Sequence, residues 1–391
     1  MKPVAFTAAV DKVLRANLYS AFVAWKFGAI ILFTWVIPQD TDILGQYTLG
    51  LGLTASFYIF SGMRSRFLVL RSVRTVSQLK YLTLAITILG AIVTPFVFLM
   101  NKDSEILPVV LAVSVAKFLE SHLDAGTSYI QNTVGRKRSF SILNQSGAMA
   151  ALAFTLMLPF GLVFSVLAEC AVVVVTILRQ WNTIRENSNE TPSRLVSGML
   201  DIFREGLAFT IGATLNASLV TYFLFFCSNN FESSETLFVA KLFAFQAILS
   251  RLLMGNNIYF SGAFTKLIDS SSARIRMTVL IAGIVMLLGH STATPFLETS
   301  SVNYLVVLGV GFTFVNCLNI AMRQQMLISV GVRRLTALHC VELVILLFTL
   351  KFFELSAASA LCMFAFMRII RVLILTSKWF RKSDRRLLNP L

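Results

Sequence analysis

Charge is what this 391-residue sequence has least of: Asp, Glu, Lys and Arg together make up 14% of it. A soluble domain carries about 25%. Apolar residues fill the difference, reaching 56% and giving a mean hydropathy of +0.76. A soluble multi-domain protein is excluded by both figures at once. The marks of soluble catalysis are missing too. No GxxxxGK[ST] phosphate loop occurs, so an ATP-driven pump within this chain is not expected. Neither HExxH nor GxSxG is present. The five cysteines, Cys170, Cys227, Cys317, Cys340 and Cys362, form no CxxC or Cys/His pattern. They read as small apolar packing residues, with no disulfide framework or zinc site.

What the chain does have is long apolar runs. A membrane-spanning helix needs roughly 20 mostly apolar residues. Twelve such runs can be placed, over 18–37, 44–63, 81–100, 106–130, 140–158, 162–178, 206–226, 236–258, 277–296, 304–326, 335–353 and 356–376. The first is long for a signal core, lacks a small-x-small cleavage pattern, and reads as an uncleaved span. The expected fold is an all-α integral membrane protein of about 12 transmembrane helices. The longest connection, the polar stretch 179–205, divides it into an N-terminal six-helix bundle at 1–178 and a C-terminal one at 206–391.

Alternate loops differ sharply in charge. One set comprises the N-terminus, 64–80, 135–139, 179–205, 259–276, 327–334 and the C-terminal tail, and holds 25 Lys and Arg. The other set holds two, Lys102 and Lys351, with eight acids. Basic loops stay in the cytoplasm, so both termini are expected there. The same rule accounts for the net charge of +15 without a nucleic-acid partner. The loop after the second span, GMRSRFLVLRSVRT, has no acid. The major-facilitator signature carries an Asp there, so that twelve-helix family is disfavoured. The loop CSNNFESSE, the longest on the outer side, is too short for the catalytic domain of a polymerase or glycosyltransferase.

A short motif recurs. Span four runs into Val134-Gly135-Arg136-Lys137-Arg138, and span ten into Val330-Gly331-Val332-Arg333-Arg334, 196 residues later. Spans six apart cross the membrane in the same sense, so the motif marks either a parallel pseudo-repeat of the two halves or two basic cytoplasmic turns alike by chance. Two such halves around a central cavity are the usual frame of an alternating-access transporter.

Charges inside the spans carry the functional signal. Seven are basic (Lys26, Lys117, Lys241, Arg251, Arg323, Arg368, Arg371) and four acidic (Glu120, Asp124, Glu169, Glu342). Facing lipid they would cost on the order of 30 kcal/mol, against a net stability of about 5–15 kcal/mol. They must be paired, snorkelling or lining water. On span four, Ser114, Lys117, Glu120, Ser121, Asp124, Ser128, Gln131 and Asn132 share one helix face. That stripe suits a cavity wall, or else a structural network built on the i,i+3 pair Lys117 and Glu120. Span ten repeats the theme with Asn316, Asn319, Arg323 and Gln324. Lys26 and Lys241 have no acid close in sequence, so they are candidates either to meet a substrate anion or to pair with an acid on another helix. Arg251 and Arg368 lie deep in their spans, whereas Arg371 lies near the inner end and is expected to snorkel. Glu169 and Glu342 are isolated in sequence. His122 points away from the polar stripe and is expected to be packed. The basic excess points to an anionic substrate.

Leu44-Gly45-Gln46-Tyr47-Thr48-Leu49-Gly50-Leu51, continuing to Met63-Arg64-Ser65-Arg66, resembles the second span of bacterial polysaccharide repeat-unit flippases, which serve O-antigen and capsule assembly. In that family an acidic outer turn, here Asp40 and Asp42, precedes an LGxYxLxL helix that ends in a basic inner loop. The end of span four, Tyr129-Ile130-Gln131-Asn132 then Gly135-Arg136-Lys137-Arg138, is also similar. The resemblance spans the chain in topology and about 45 residues in motif. It implies the multidrug/oligosaccharidyl-lipid/polysaccharide exporter (MOP) fold, two six-helix bundles about a V-shaped cavity. It implies a flippase of the bacterial inner membrane, moving an undecaprenyl-diphosphate-linked oligosaccharide outward by alternating access. The driving force would be an H+ or Na+ gradient, with no bound cofactor. The partners would be that lipid-linked oligosaccharide, membrane lipid and other polysaccharide-assembly proteins.

Under this reading Lys26, Lys117, Lys241, Arg251, Arg323 and Arg368 contact the diphosphate or sugar, and Glu120 and Asp124 couple the ion. Two other readings stand beside it. One is an exporter of a drug or a peptidoglycan precursor on the same fold. The other is a membrane-embedded enzyme acting on lipid-linked sugars.

Overall fold

A computed structural model describes residues 3–36, 43–63, 65–101, 105–186, 197–232, 235–236, 239–240, 242–243, 332–353 and 355–376. Among them every regular element is helical. The helices are α1 (Pro3–Val36), α2 (Ile43–Ser61), α3 (Ser65–Ser72), α4 (Val76–Asn101), α5 (Leu107–Thr133), α6 (Arg136–Met157), α7 (Leu162–Glu186), α8 (Ser197–Asn230), α9 (Val332–Phe352) and α10 (Ala357–Thr376). A single 3-10 turn, Leu158–Phe160, joins α6 to α7.

Each span expected from 18–37 through 206–226, and those at 335–353 and 356–376, falls on one of these helices. The span at 236–258 is described only in its first residues, and those at 277–296 and 304–326 lie outside the described residues. Both α7 and α8 reach into the polar stretch 179–205. The short α3, inside a basic loop, was not expected as a helix. It forms because its apolar side, Leu68 and Val69, is buried against α5.

Five helices among the described residues are long and apolar enough to cross a membrane, the segments Ile43–Ser61, Val76–Asn101, Lys137–Phe160, Leu162–Glu186 and Thr210–Asn230. Their surfaces are inverted relative to a soluble bundle. On α4, Leu84, Ile88, Ile92 and Phe96 are all more than half exposed. They recur every fourth residue and form one stripe. In water such a stripe would drive association; against lipid tails it costs nothing. The protein is a multi-pass membrane protein.

The chain divides into two compact units, Met1–Tyr222 and Phe223–Leu391. In the first, α5 is central, packing against α2, α3, α4, α6 and α7. That position explains how a helix bearing Lys117, Glu120 and Asp124 survives in a membrane, because its neighbours hold lipid off the polar face. One end of this unit is closed by an apolar core of Met63, Leu68, Val69, Val73, Leu79, Leu82, Tyr129, Ile130 and Ile184. Asn132 of α5 ties α3 to this core, donating to Val69 O at 3.0 Å.

Gly135 turns the chain from α5 into α6. Its φ of +125° and ψ of 158° lie in a region essentially restricted to glycine. Its N–H donates to Ile130 O at 2.9 Å, closing α5. The repeat motif thus has a physical role in its first copy. In the second copy Gly331 lies outside the described residues, yet the following helix opens at Val332, as α6 opens at Arg136. The next pair, α7 from Leu162 and α10 from Ala357, keeps nearly the same offset.

Candidate functional site

The first unit places its charges in pairs. Lys26 on α1 is buried, and its ammonium donates to Glu169 Oε1 on α7. Both side chains are about 5% exposed, so the pair has left water entirely. Such a pair persists only because each charge neutralises the other at short range. The sequence left Lys26 without a nearby acid, and its partner is 143 residues away. On α5, Lys117 Nζ donates to Glu120 Oε2 at 2.7 Å, and each side chain remains about a quarter exposed. Glu120 also faces the small cavity that Lys26 and Glu169 line. Tyr19, Ser146 and Gly147 complete its polar wall. The cavity measures about 10 Å³, room for about one water. Two carboxylates from different helices therefore line the cavity with Lys26, Glu169 bound to Lys26 and Glu120 to Lys117. Asp124 lies one turn beyond Glu120 on the same helix, half-buried.

Other polar groups along α5 are hydrogen-bonded. Ser114 Oγ donates to Val110 O at 2.7 Å and Ser121 Oγ to Lys117 O at 3.1 Å. Ser121 O in turn accepts from Ser65 Oγ at 2.9 Å. Gln180 on α7 donates to Leu123 O at 3.3 Å and to Thr127 Oγ1. Gly126 admits this side chain: a Cβ there would lie 2.4 Å from Gln180 Oε1. His122 is packed, as expected. Its ring packs at a tilt against Phe118, 4.6 Å between centroids, and meets Thr87 Oγ1 at 3.1 Å.

The second unit holds a cluster that sequence reasoning missed. Arg371 on α10 is fully buried and binds both carboxylate oxygens of Glu342 on α9. His339, one turn before Glu342, is also fully buried, with Nδ1 3.7 Å from Glu342 Oε2. The snorkelling expected of Arg371 is corrected by this geometry, since a counter-charge on the adjacent helix holds the guanidinium inside. The spacing of His339 and Glu342, i and i+3 on one face, was the available signal. Arg368 is buried and lies over the Phe364 ring, 4.7 Å from its centroid.

Of the proposed anion contacts, Lys26, Lys117 and Arg368 are thus described. Lys241, Arg251 and Arg323 lie outside the described residues, as do Asn316, Asn319 and Gln324. Among the described residues no group of three or more His, Cys, Asp or Glu side chains is arranged to hold a metal ion.

No protein family matches the chain, and no curated protein sequence does. Solved structures do. The chain is similar to the inward-facing conformation of a multidrug resistance MATE family transporter of the MOP superfamily, with a TM-score of 0.54, 14% identity, and 94% of this chain and 93% of that one covered. It is similar to a MOP superfamily transporter from Pyrococcus furiosus, with a TM-score of 0.53, 12% identity and the same coverage. A MATE structure in complex with Br-NRF gives a TM-score of 0.51 at 14% identity, again covering 94% of this chain and 93% of that one. The helices and these likenesses define an all-α membrane protein with the fold of MOP superfamily transporters.

Proposed function

We propose that this chain is a transporter that flips an undecaprenyl-diphosphate-linked oligosaccharide repeat unit across the bacterial inner membrane. Both termini lie in the cytoplasm, and transport proceeds by alternating access. The observation that carries the reading is the polar interior of the first unit, where Lys26, Glu169, Glu120 and Lys117 sit inside a membrane-spanning bundle. Ionic groups at such depth mark transport paths or relays. The sign of the charge favours an anion, because basic residues outnumber acids seven to four within the spans. A diphosphate bearing sugars cannot cross about 30 Å of hydrocarbon without such a polar path.

Lys26, Lys117, Lys241, Arg251, Arg323 and Arg368 are the proposed anion contacts. Glu120 and Asp124 are the proposed coupling groups for an H+ or Na+ gradient. In the described arrangement Lys26 and Lys117 are held by Glu169 and Glu120. Protonating either carboxylate would release the partner ammonium toward substrate, which links ion entry to anion binding.

The neighbours' own descriptions favour a second reading. One of them is described as a multidrug resistance MATE family transporter, which points to a drug exporter. The Pyrococcus furiosus transporter is described as having a binding pocket of reverse polarity that suggests a different function. The fold thus accommodates pockets of either sign.

A deletion strain separates the readings. Loss of surface polysaccharide with unchanged drug sensitivity is expected. Raised drug sensitivity with intact polysaccharide would establish the drug exporter instead. Lys241→Ala is expected to abolish export while the protein still inserts. Product formation from lipid-linked sugars by purified protein in detergent, without a sealed bilayer, would establish an embedded enzyme.

A further inference from the structure

The α6–α7 pair carries a surface that transport chemistry does not use. The two helices pack along their length, with the start of α6 and the end of α7 at the same end of the unit. That end is the one closed by the apolar core around Tyr129 and Ile184, against which Ile142 of α6 and Trp181 of α7 also pack. Beyond Arg136 at the start of α6 and Arg185 in the last turn of α7, three cations ring it on these helices, Lys137, Arg138 and Arg179, and all three are exposed. Among the described residues no carboxylate is paired with any of these three.

Below the cations the exposed surface changes character in steps. On α6 one face runs Arg138, Ser141, Gln145, Met149, Leu152, Leu156, each residue exposed. From Arg138 to Met149 is ~16 Å at about 1.5 Å per residue. On α7 the matching face descends from Arg179 through Leu178 and Val175 to Leu167. Charge, then hydroxyl and amide, then large apolar groups is the order of an anionic phospholipid read from phosphate through glycerol ester to acyl chain.

We propose that the basic end of the α6–α7 pair binds the headgroup of an anionic phospholipid in the adjoining leaflet. Its phosphate would be seated by Lys137, Arg138 and Arg179, and its chains laid on Met149, Leu152, Leu178 and Val175. Charge complementarity selects this occupant over a zwitterionic lipid, because a zwitterion's own ammonium would meet three like charges. The proposal rests on the membrane-spanning fold and is independent of which substrate is carried.

Trp181 supplies a probe beside the site. The full-length protein is placed in phosphatidylcholine vesicles that contain a small fraction of phosphatidylglycerol or phosphatidylcholine brominated near the headgroup, and tryptophan quenching is measured. Roughly fivefold preference per cation leads us to expect at least tenfold preference for phosphatidylglycerol. That preference is expected to collapse in the triple variant Lys137→Gln, Arg138→Gln, Arg179→Gln, and in the parent protein at high salt. Trp181→Phe is expected to remove the difference between the two quenchers, and Lys351→Gln on α9 to preserve it. Equal quenching by both lipids in the parent protein overturns the proposal. So does a phosphatidylglycerol preference that survives the triple variant, salt or Trp181→Phe.

Discussion

Lys26→Met is the perturbation that most directly probes the interior of the first unit. It leaves Glu169 about 5% exposed with no cation beside it, and Glu120 on the opposite wall of the same cavity. Removing one partner of a buried pair costs about 3–5 kcal/mol. Glu169→Gln is milder by construction. The glutamine carbonyl still accepts from the ammonium, so the loss is about 1.5–3 kcal/mol, the worth of a hydrogen bond to a charged group. The double change Lys26→Met with Glu169→Leu removes both charges and fills the space with apolar atoms. Such replacements are often neutral or stabilising. Equilibrium unfolding of the purified protein in mixed micelles reads all three. The expected order of stability is double variant near the parent, then Glu169→Gln, then Lys26→Met. The reasoning fails if Lys26→Met falls within about 1 kcal/mol of the parent, a cost typical of a solvated pair, or if the double variant is as unstable as Lys26→Met. Export measured alongside separates stability from mechanism, since a stable double variant that no longer exports would tie the pair to transport.

The second unit offers a parallel case. Arg371→Met strands Glu342 in a fully buried site and is expected to lower stability by about 3–5 kcal/mol, with Arg371→Met plus Glu342→Leu recovering most of it in the same unfolding assay. Gly126→Ala would place a methyl 2.4 Å from Gln180 Oε1. Displacing that side chain breaks its bonds to Thr127 and Leu123, so a loss of about 1–3 kcal/mol is expected, and Gln180→Ala combined with Gly126→Ala should cost no more than Gln180→Ala alone. Orientation is tested by labelling. In intact cells a membrane-impermeant maleimide is expected to reach Glu232→Cys but not Lys137→Cys, and the reverse pattern would invert the topology.

Much of this architecture could be read from residue order, because a bilayer imposes length and polarity on each segment separately. Span positions from 18 to 226 needed only runs of apolar residues, and α2 and α6 follow them to within a few residues, whereas α4 starts five residues earlier and α7 runs eight residues further. The face of α5 was legible for the same reason, since 3.6 residues per turn is a local rule. Pairings between distant helices were not. Nothing near Lys26 in sequence announces Glu169, and nothing near Arg371 announces Glu342. Both partnerships depend on which helices pack together, a tertiary fact. A buried Glu in an apolar run does demand a counter-charge somewhere. In sequence, though, Glu169 and Glu342 read only as isolated acids, either neutral or paired, with no partner named. Helix α3 was missed because it is too short and too basic for a span, and only the core beneath it makes it fold.

The central place of α5 has a consequence for how the chain is made. Lys117, Glu120 and Asp124 lie within three turns of one another, and each charge at mid-bilayer opposes insertion by about 2.5–3.5 kcal/mol. A segment so burdened cannot partition alone as it leaves the ribosome. Helices α2 and α4, which shield part of it, are synthesised earlier and are already in the membrane when it arrives. The remaining cover, α6 and α7, comes immediately after. Residue order therefore doubles as an assembly schedule, in which the least lipid-tolerant helix is delivered between its own protectors.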